Sequence, residues 1–296
     1  MSSVFHSPAL RQRPARGRFL ALALALVCTA GSAFAFPPAP PFTIHGIARD
    51  SYGWALKATD AGTVVIRRNG AIIAEAPVNE TARSGENFRA LVAMDTNPAD
   101  PYRTGAQTTG TLFSIEVRFP TVTMPVASLT ADRRTVGQPG GSLFLDFSVG
   151  VDSDGDGIPD SWEWWQLSEF GIGPGDPRWS LATLGRGDFD GDGTSDYVEY
   201  LAGTFAFLTE DKLGLAIDGF APDGSAQLHA LLVVDKVYRI ESSLDLQTWT
   251  TQTVRPGAPG AALANTFTVG DTREVPIYAP LSGDRSQRFY RLVLVR

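Results

Sequence analysis

Two twelve-residue segments of the chain carry acidic residues at the same positions. Both match the pattern D-x-[DN]-x-[DN]-G-x5-E without a substitution. Three alternate carboxylates on a tight turn can share one centre, so the spacing suits a hard cation with oxygen ligands, and we expect two Ca²⁺ ions. The predicted ligands are Asp152, Asp154, Asp156, Ile158, Asp160 and Glu163 in the first loop, and Asp188, Asp190, Asp192, Thr194, Asp196 and Glu199 in the second.

The predicted ligands play different parts. At position 7, Ile158 or Thr194 adds a backbone carbonyl, position 9 binds directly or through water, and the glutamate at position 12 supplies two oxygens. Position 6 is Gly157 or Gly193, which takes a left-handed turn without a steric penalty. Without a cation, the crowded carboxylates of each loop would repel one another. A solvated acidic loop is the alternative interpretation, and two complete copies argue against it.

The residues around the loops depart from an ordinary EF-hand pair. An EF-hand has a helix before its loop, whereas residues 142–149 alternate in polarity and predict a strand. Helices are predicted only after the loops, at 161–170 and 196–202. Pro159, at position 8 of the first loop, has no backbone N–H and cannot donate to a ladder between the loops.

This region resembles known calcium repeats. The run DSDGDGIPD at 152–160 resembles the type 3 thrombospondin repeat, and a loop followed by one helix resembles the calcium repeats of bacterial dockerins. Residues 199–204 look like the ending of such repeats in secreted multidomain bacterial proteins. The resemblance implies an EF-hand-type, metal-binding segment, which we place at 151–208.

The N-terminus predicts a secretory signal peptide at 1–35. Four arginines at 11–18 precede an apolar run at 19–27, and Ala33-Phe34-Ala35 forms a cleavage site. A membrane anchor is the alternative, but the apolar run is short for a span. We expect cleavage after Ala35 and a mature protein that is secreted or held in the cell envelope, without a membrane span.

The composition of the mature chain limits its partners. Cys28, the only cysteine, lies within the signal peptide, so no disulfide can form and metal is the remaining crosslink. Removal of the four arginines leaves 21 basic against 32 acidic residues, a net charge of −11. Such an acidic surface argues against nucleic acid and anionic membranes as partners.

Short predicted strands with turn signals lie on both sides of the loops. In 36–150 they are 43–49, 63–68, 71–75, 88–94, 111–119 and 143–149, with Asn69-Gly70 as a hairpin turn. In 209–296 they are 213–217, 227–234, 237–241, 248–254, 266–269 and 288–295. We predict a mainly β fold, with two antiparallel β-sandwich domains joined by a short helical calcium-binding segment.

The flanking regions also carry family resemblances. Residues 44–56 and 87–91 resemble transthyretin-like or carboxypeptidase-regulatory-like sandwiches, which implies a structural or binding module. Residues 238–249 and 289–292 look like a C-terminal β-module of secreted bacterial multidomain proteins.

An aromatic cluster follows the first loop and has two interpretations. On a helix, Trp162 and Trp165 share a face while Trp164 points elsewhere. The cluster either packs the helix against the flanking β regions, which we favour, or stacks on a sugar or contacts a partner. Phe170 completes it.

The sequence contains no recognised catalytic motif. His45 and His229, the histidines outside the signal peptide, lie in predicted strands, and no G-x-S-x-G, H-E-x-x-H or P-loop pattern occurs. We therefore predict a secreted, non-enzymatic, calcium-binding modular protein whose two loops rigidify a connector between β-sandwich modules. The alternative is a calcium-dependent recognition or adhesion module that binds a cell-surface protein or a polysaccharide. A hydrolase on a sandwich scaffold is a third interpretation.

Overall fold

The structure, a computed structural model, describes residues 39–79, 85–95, 104–129, 134–281 and 288–295. The predicted signal peptide, 1–35, lies outside these residues. Strands predominate in the described part of the chain, which confirms the predicted mainly β class. Ala39–Arg296 form one compact unit. Among the described residues, no helix combines the length and apolarity needed to cross a membrane.

The N-terminal region forms a seven-stranded sheet in the order β3-β2-β5-β6-β7-β1-β4. Its strands are Phe42–Arg49 (β1), Thr63–Arg68 (β2), Ala71–Pro77 (β3), Phe88–Val92 (β4), Ser114–Arg118 (β5), Thr123–Leu129 (β6) and Ser142–Val149 (β7). Although β3 and β4 stand at opposite ends of this order, they contact each other. The sheet therefore curls around a cluster of buried side chains that includes Ile44, Val64, Phe88 and Leu145.

One strand pair runs parallel, which the predicted antiparallel arrangement did not include. In that pair, β1 lies beside β7, with Thr43 opposite Ser142 and Arg49 opposite Ser148. Alternating polarity determines which face of a strand is buried, but it does not determine the direction of the neighbouring strand. A parallel pair needs a long crossover connection, and β2 to β6 provide it.

Gly46 permits the close approach of β1 and β7. Its φ is +147°, and a methyl group at this position would lie 1.9 Å from the carbonyl oxygen of Leu145. Any larger residue would have to push β1 and β7 apart. The requirement for glycine comes from the backbone of the partner strand, which local sequence does not reveal.

The C-terminal region contains two smaller sheets, β11-β10-β14 and β12-β13-β9-β8. The strands are Ala216–Phe220 (β8), Ala226–Leu232 (β9), Val237–Ser243 (β10), Thr250–Gln252 (β11), Arg255–Pro256 (β12), Arg273–Ala279 (β13) and Phe289–Val295 (β14). Both sheets contribute to one buried cluster, through Leu228 and Ile277 from one sheet and Ile240 from the other. The predicted strand at 266–269 is reduced to a single bridge between Phe267 and Tyr238.

Two short helices lie between the β regions, close to their predicted bounds. They are α1, Asp160–Glu169, and α2, Asp196–Ala202. Trp162 and Leu167 of α1 and Tyr200 of α2 enter a third buried cluster, together with Phe207. The three clusters follow one another along the chain, while the division into two sandwich domains and a connector stays a prediction.

A buried polar junction joins these three regions. Arg49 of β1 is 4% exposed and donates to both carboxylate oxygens of Asp146 on β7, at 2.7 and 2.9 Å. Lys236, only 2% exposed, donates to the carbonyl of Leu201 at 2.7 Å and to that of Gly53 at 3.2 Å. Gly53 precedes the loops, Leu201 lies in α2 and Lys236 follows β9. The ammonium group therefore connects all three parts of the fold.

Candidate metal centre

In the first loop, the three leading aspartates converge. One carboxylate oxygen from each of Asp152, Asp154 and Asp156 lies within 4.8 Å of the other two. The backbone of the loop orients Asp152, whose two oxygens accept the N–H groups of Gly155 at 2.7 Å and Gly157 at 3.0 Å. The turn is left-handed at position 6, where Gly157 has a φ of +95°. The carboxylates are therefore held side by side by the fold of the loop itself.

Positions 5 and 9 of this loop behave differently. Asp156 Oδ1 accepts the N–H of Ile158 at 2.8 Å, while Oδ2 is buried and has no hydrogen-bond partner among the described residues. Both oxygens of Asp160 are engaged by Ser153, at 2.7 Å by its N–H and at 2.6 Å by its hydroxyl. Asp160 thus closes the loop, and Ile158, whose side chain is fully buried, anchors it in the core.

The second loop reproduces this arrangement. Asp188, Asp190 and Asp192 each place one carboxylate oxygen within 4.8 Å of the others. Asp188 accepts the N–H groups of Gly191 and Gly193, both at 2.9 Å. Two independent stretches of chain have therefore folded into the same carboxylate cage.

The later positions of the second loop also match the first. Asp192 Oδ1 accepts the N–H of Thr194 at 2.7 Å. Asp196 accepts two backbone N–H groups, from Phe189 at 2.8 Å and from Gly185 at 3.0 Å. In each loop the acidic residue at position 9 closes the turn. In the second loop, Asp190 Oδ2 and Asp192 Oδ2 are buried without a hydrogen-bond partner among the described residues, and the Lys212 ammonium lies 3.8 Å from Asp192 Oδ2.

The glutamates at position 12 give the strongest indication of a cation site. Glu163 and Glu199 are 0% exposed. Neither oxygen of either carboxylate has a hydrogen-bond partner among the described residues. An ionised carboxylate buried without a partner costs several kcal/mol, so each group needs either a cation or a proton. Because these residues lie in the first turns of α1 and α2, the helices themselves carry the glutamates to the loops.

The electrostatics of both glutamates reflect this environment. Burial, reinforced by the negative charges of Asp154 and Asp156, raises the pKa of the Glu163 carboxyl to about 9. Burial and the charges of Asp190 and Asp192 raise the pKa of Glu199 to about 9. Without a cation, both groups therefore hold a proton at neutral pH. A divalent ion would replace that proton and stabilise the carboxylate form.

The donor set fits a hard cation. All the clustered groups in the two loops are carboxylates, and neither cluster includes a histidine or cysteine. Oxygen ligands of this kind, including a glutamate able to bind with two oxygens, suit Ca²⁺. Mg²⁺ demands a tighter octahedral shell and keeps most of its waters, so a loop with this many protein oxygens suits it less well.

The two histidines that the sequence singled out each lie beside an acidic residue. His45 Nδ1 is 2.7 Å from Glu86 Oε1, and His229 Nδ1 is 2.7 Å from Asp218 Oδ1. His45 lies on β1 and His229 on β9.

The aromatic cluster packs inside the helical region. Trp162 contacts Tyr200 edge to face, with ring centroids 5.4 Å apart. Trp164 stacks on Trp179 at 4.7 Å, and Trp165 is half-buried. These two contacts lie within the helical region, whereas the sequence predicted packing against the flanking β regions; Trp165 contacts Tyr52, which follows β1, with ring centroids 5.9 Å apart. Trp179, which lies between the loops, is a partner that the sequence pattern did not indicate.

The structure brings together the aspartates at positions 1, 3 and 5 of each loop, and their charges act on the buried glutamate at position 12. No protein family, curated protein or solved structure matches this chain.

Proposed function

We propose that this protein is a non-enzymatic calcium-binding protein, secreted or held in the cell envelope, in which two ions rigidify the segment between its β regions. The observation that carries the proposal is the pair of position-12 glutamates. Glu163 and Glu199 are completely buried, lack hydrogen-bond partners among the described residues and adjoin three converging aspartates. A Ca²⁺ ion in each loop would satisfy the free oxygens of these groups.

The position of the loops supports a structural role for the ions. The residues at positions 9 and 12 of each loop belong to the first turn of α1 or α2. An ion bound to them would fix where each helix begins. The helices in turn supply Trp162, Leu167 and Tyr200 to the buried cluster of this region. With no cysteine after Cys28, calcium is the remaining crosslink for these short elements.

Calorimetric titration of the purified mature chain tests the proposal. We expect two Ca²⁺ ions per chain, with dissociation constants in the ~10⁻⁴ to 10⁻³ M range of extracellular calcium modules. Glu163→Gln should weaken the first site and Glu199→Gln the second, because each change removes a charged, two-oxygen ligand. Glu169→Gln is the matched control, since Glu169 lies on the same helix as Glu163 but is exposed.

Two results would contradict calcium binding. The first is the absence of any heat of uptake at millimolar Ca²⁺ in the unmodified chain. The second is a titration that neither glutamate variant changes relative to Glu169→Gln.

An exposed aromatic patch favours calcium-dependent recognition as a second candidate function. Phe170 and Phe189 are 40% and 38% exposed, and both contact Phe207, with ring centroids 4.0 and 4.5 Å apart. Phe189 is position 2 of the second loop, so an ion there would fix its orientation.

Binding to a cell-surface fraction tests this second function. We expect the chain to be retained in the presence of Ca²⁺ and released by a chelator. The double variant Phe170→Ala/Phe189→Ala should lose retention, while a control change at an exposed leucine of the C-terminal region, Leu263→Ala, should keep it. Equal retention with and without Ca²⁺ would eliminate the recognition role.

A further inference from the structure

A two-residue strip, Gly185 and Arg186, lies between the two acidic loops. Gly185 is buried, and its N–H donates to Asp196 Oδ2 at 3.0 Å. Its carbonyl accepts the N–H of Tyr197 at 2.9 Å. Asp196 and Tyr197 are positions 9 and 10 of the second loop, so two hydrogen bonds fix the strip to that loop.

The same strip contacts the first loop. Arg186 Nε donates to the backbone carbonyl of Asp156 at 2.7 Å. A methyl group on Gly185 would lie 2.7 Å from Asp156 Oδ2, so the absence of a side chain lets the strip approach this carboxylate. Position 5 of the first loop is therefore held by residues that precede the second.

The guanidinium of Arg186 lies close to both loops. Its Cζ is 3.8 Å from the centroid of the Tyr197 ring, a cation–π contact with the second loop. A Cβ at Gly157, the turn glycine of the first loop, would lie 3.0 Å from Nη2 of the same guanidinium. Movement of either loop would thus displace Arg186 from the other.

Lys212 provides an internal comparison. Its ammonium group donates to the backbone carbonyl of Asp192 at 3.2 Å, and Asp192 is position 5 of the second loop. In both loops a cation from outside the twelve residues therefore holds the carbonyl of position 5. In the described structure, Lys212 contacts only the second loop in this way, whereas Arg186 contacts both.

We propose that Arg186 is a positioning residue that couples the two loops, so that an ion in one loop raises the affinity of the other. This proposal rests on the calcium binding proposed above. An ion in the second loop orders Asp196 and Tyr197, which hold Gly185 and Arg186 against Asp156. The coupling is reciprocal, as thermodynamic linkage requires. At position 8 the first loop cannot donate a backbone hydrogen bond to the second loop, because Pro159 has no N–H.

Calorimetric titration of matched variants measures this coupling. Glu199→Gln reports the affinity of the first loop alone, and Glu163→Gln reports that of the second. In the unmodified chain, we expect the product of the two stepwise association constants to exceed the product of these single-site constants about tenfold. In the Arg186→Gln background, the ratio should fall to about one. In the Lys212→Met background, the ratio should be kept.

The possible outcomes distinguish a failure of the coupling from a failure of calcium binding. No Ca²⁺ uptake by the unmodified chain would overturn the proposed function and the coupling together. Uptake of two ions with a ratio of one would overturn the coupling alone. A tenfold ratio that survives Arg186→Gln would overturn the role of Arg186. Tyr197→Leu, which removes the ring and keeps the arginine, should also lower the ratio, and far-UV circular dichroism at saturating Ca²⁺ verifies that each variant is folded.

Discussion

Addition of a chelator to the purified chain is expected to lower its melting temperature by roughly 10–20 °C. At a Ca²⁺ concentration one hundred times the dissociation constant, each site adds about 2.7 kcal/mol to the free energy of unfolding, so two sites add about 5 kcal/mol. In a chain of this size, 1 kcal/mol corresponds to roughly 2–4 °C. Calorimetric melting with and without chelator measures the shift, and limited proteolysis should show new cleavage within 151–208. Identical melting and cleavage in both conditions would contradict the structural role of the ions.

The effect of calcium should also depend on pH. The pKa of each position-12 glutamate is raised to about 9 in the folded, calcium-free chain. A raised carboxyl pKa adds stability that is fully present below the ordinary value near 4.5 and is lost as the pH rises to about 9. The calcium-free chain should therefore become less stable from acidic to alkaline pH, whereas the calcium-bound chain should change much less over the same range.

The same pKa values predict that calcium binding releases protons. At pH 7 both glutamates are protonated without the ion, so uptake of two ions should release about two protons per chain. Titrations in two buffers with different ionisation enthalpies give this number directly. Glu163→Gln should reduce it to about one. No proton release at pH 7, alongside normal calcium uptake, would contradict the buried state of both glutamates.

Asp146→Asn is expected to destabilise the calcium-saturated chain by about 3–5 kcal/mol, because it leaves the buried Arg49 without its counter-charge. The two side chains are only 5% and 1% exposed. Urea unfolding at saturating Ca²⁺ measures the change. Replacement of both charges, in Arg49→Met/Asp146→Leu, should recover much of the loss, since an apolar pair of similar size removes the desolvation penalty.

Glu75→Gln provides the matched control in the same seven-stranded sheet. Arg118 and Glu75 form an ion pair at 3.0 Å, but their side chains are 43% and 50% exposed. Loss of this pair should cost about 1 kcal/mol or less, because water screens it. If Asp146→Asn lowers the free energy of unfolding no more than Glu75→Gln does, the buried pair does not have the predicted stabilising role.

The acidic loops could be predicted from the sequence because their geometry is local. Each loop takes its ligands from twelve consecutive residues, and its turn is fixed by Gly157 or Gly193. The helices that follow were also predictable, since α1 and α2 begin at position 9 of each loop. Burial of Glu163 and Glu199, by contrast, depends on packing against distant parts of the chain.

Three strands are absent from the sequence prediction, β6, β12 and β13, and each contains a proline. Pro125 lies in β6 and Pro276 in β13, and proline argues against a strand because it cannot donate a hydrogen bond. In both cases the carbonyl of the proline accepts an N–H from a glycine just beyond the end of the neighbouring strand: Gly150 after β7 and Gly257 after β12. The N–H that proline lacks would point to the same side. Each of these two prolines therefore lies where its partner strand has ended.

The sequence pattern did not indicate Arg186 as part of the site, for a different reason. It precedes the second acidic pattern by two residues and contacts Asp156, thirty residues earlier in the chain. Spacing rules describe one loop at a time, so they contain no information about how two loops meet. The parallel pairing of β1 with β7 was missed for the same reason, because it joins the two ends of the N-terminal region.

The contacts of Lys236 limit how the chain can be divided or transplanted. A fragment that starts at residue 209 would keep this lysine and lose its acceptors at Gly53 and Leu201. A fragment that ends at residue 150 would expose Gly53 and Arg49 where Lys236 and Asp235 now cover them. The N-terminal, helical and C-terminal regions are therefore not structurally independent of one another. A fusion protein or a shuffled gene has to carry the whole of 39–295 to preserve the fold.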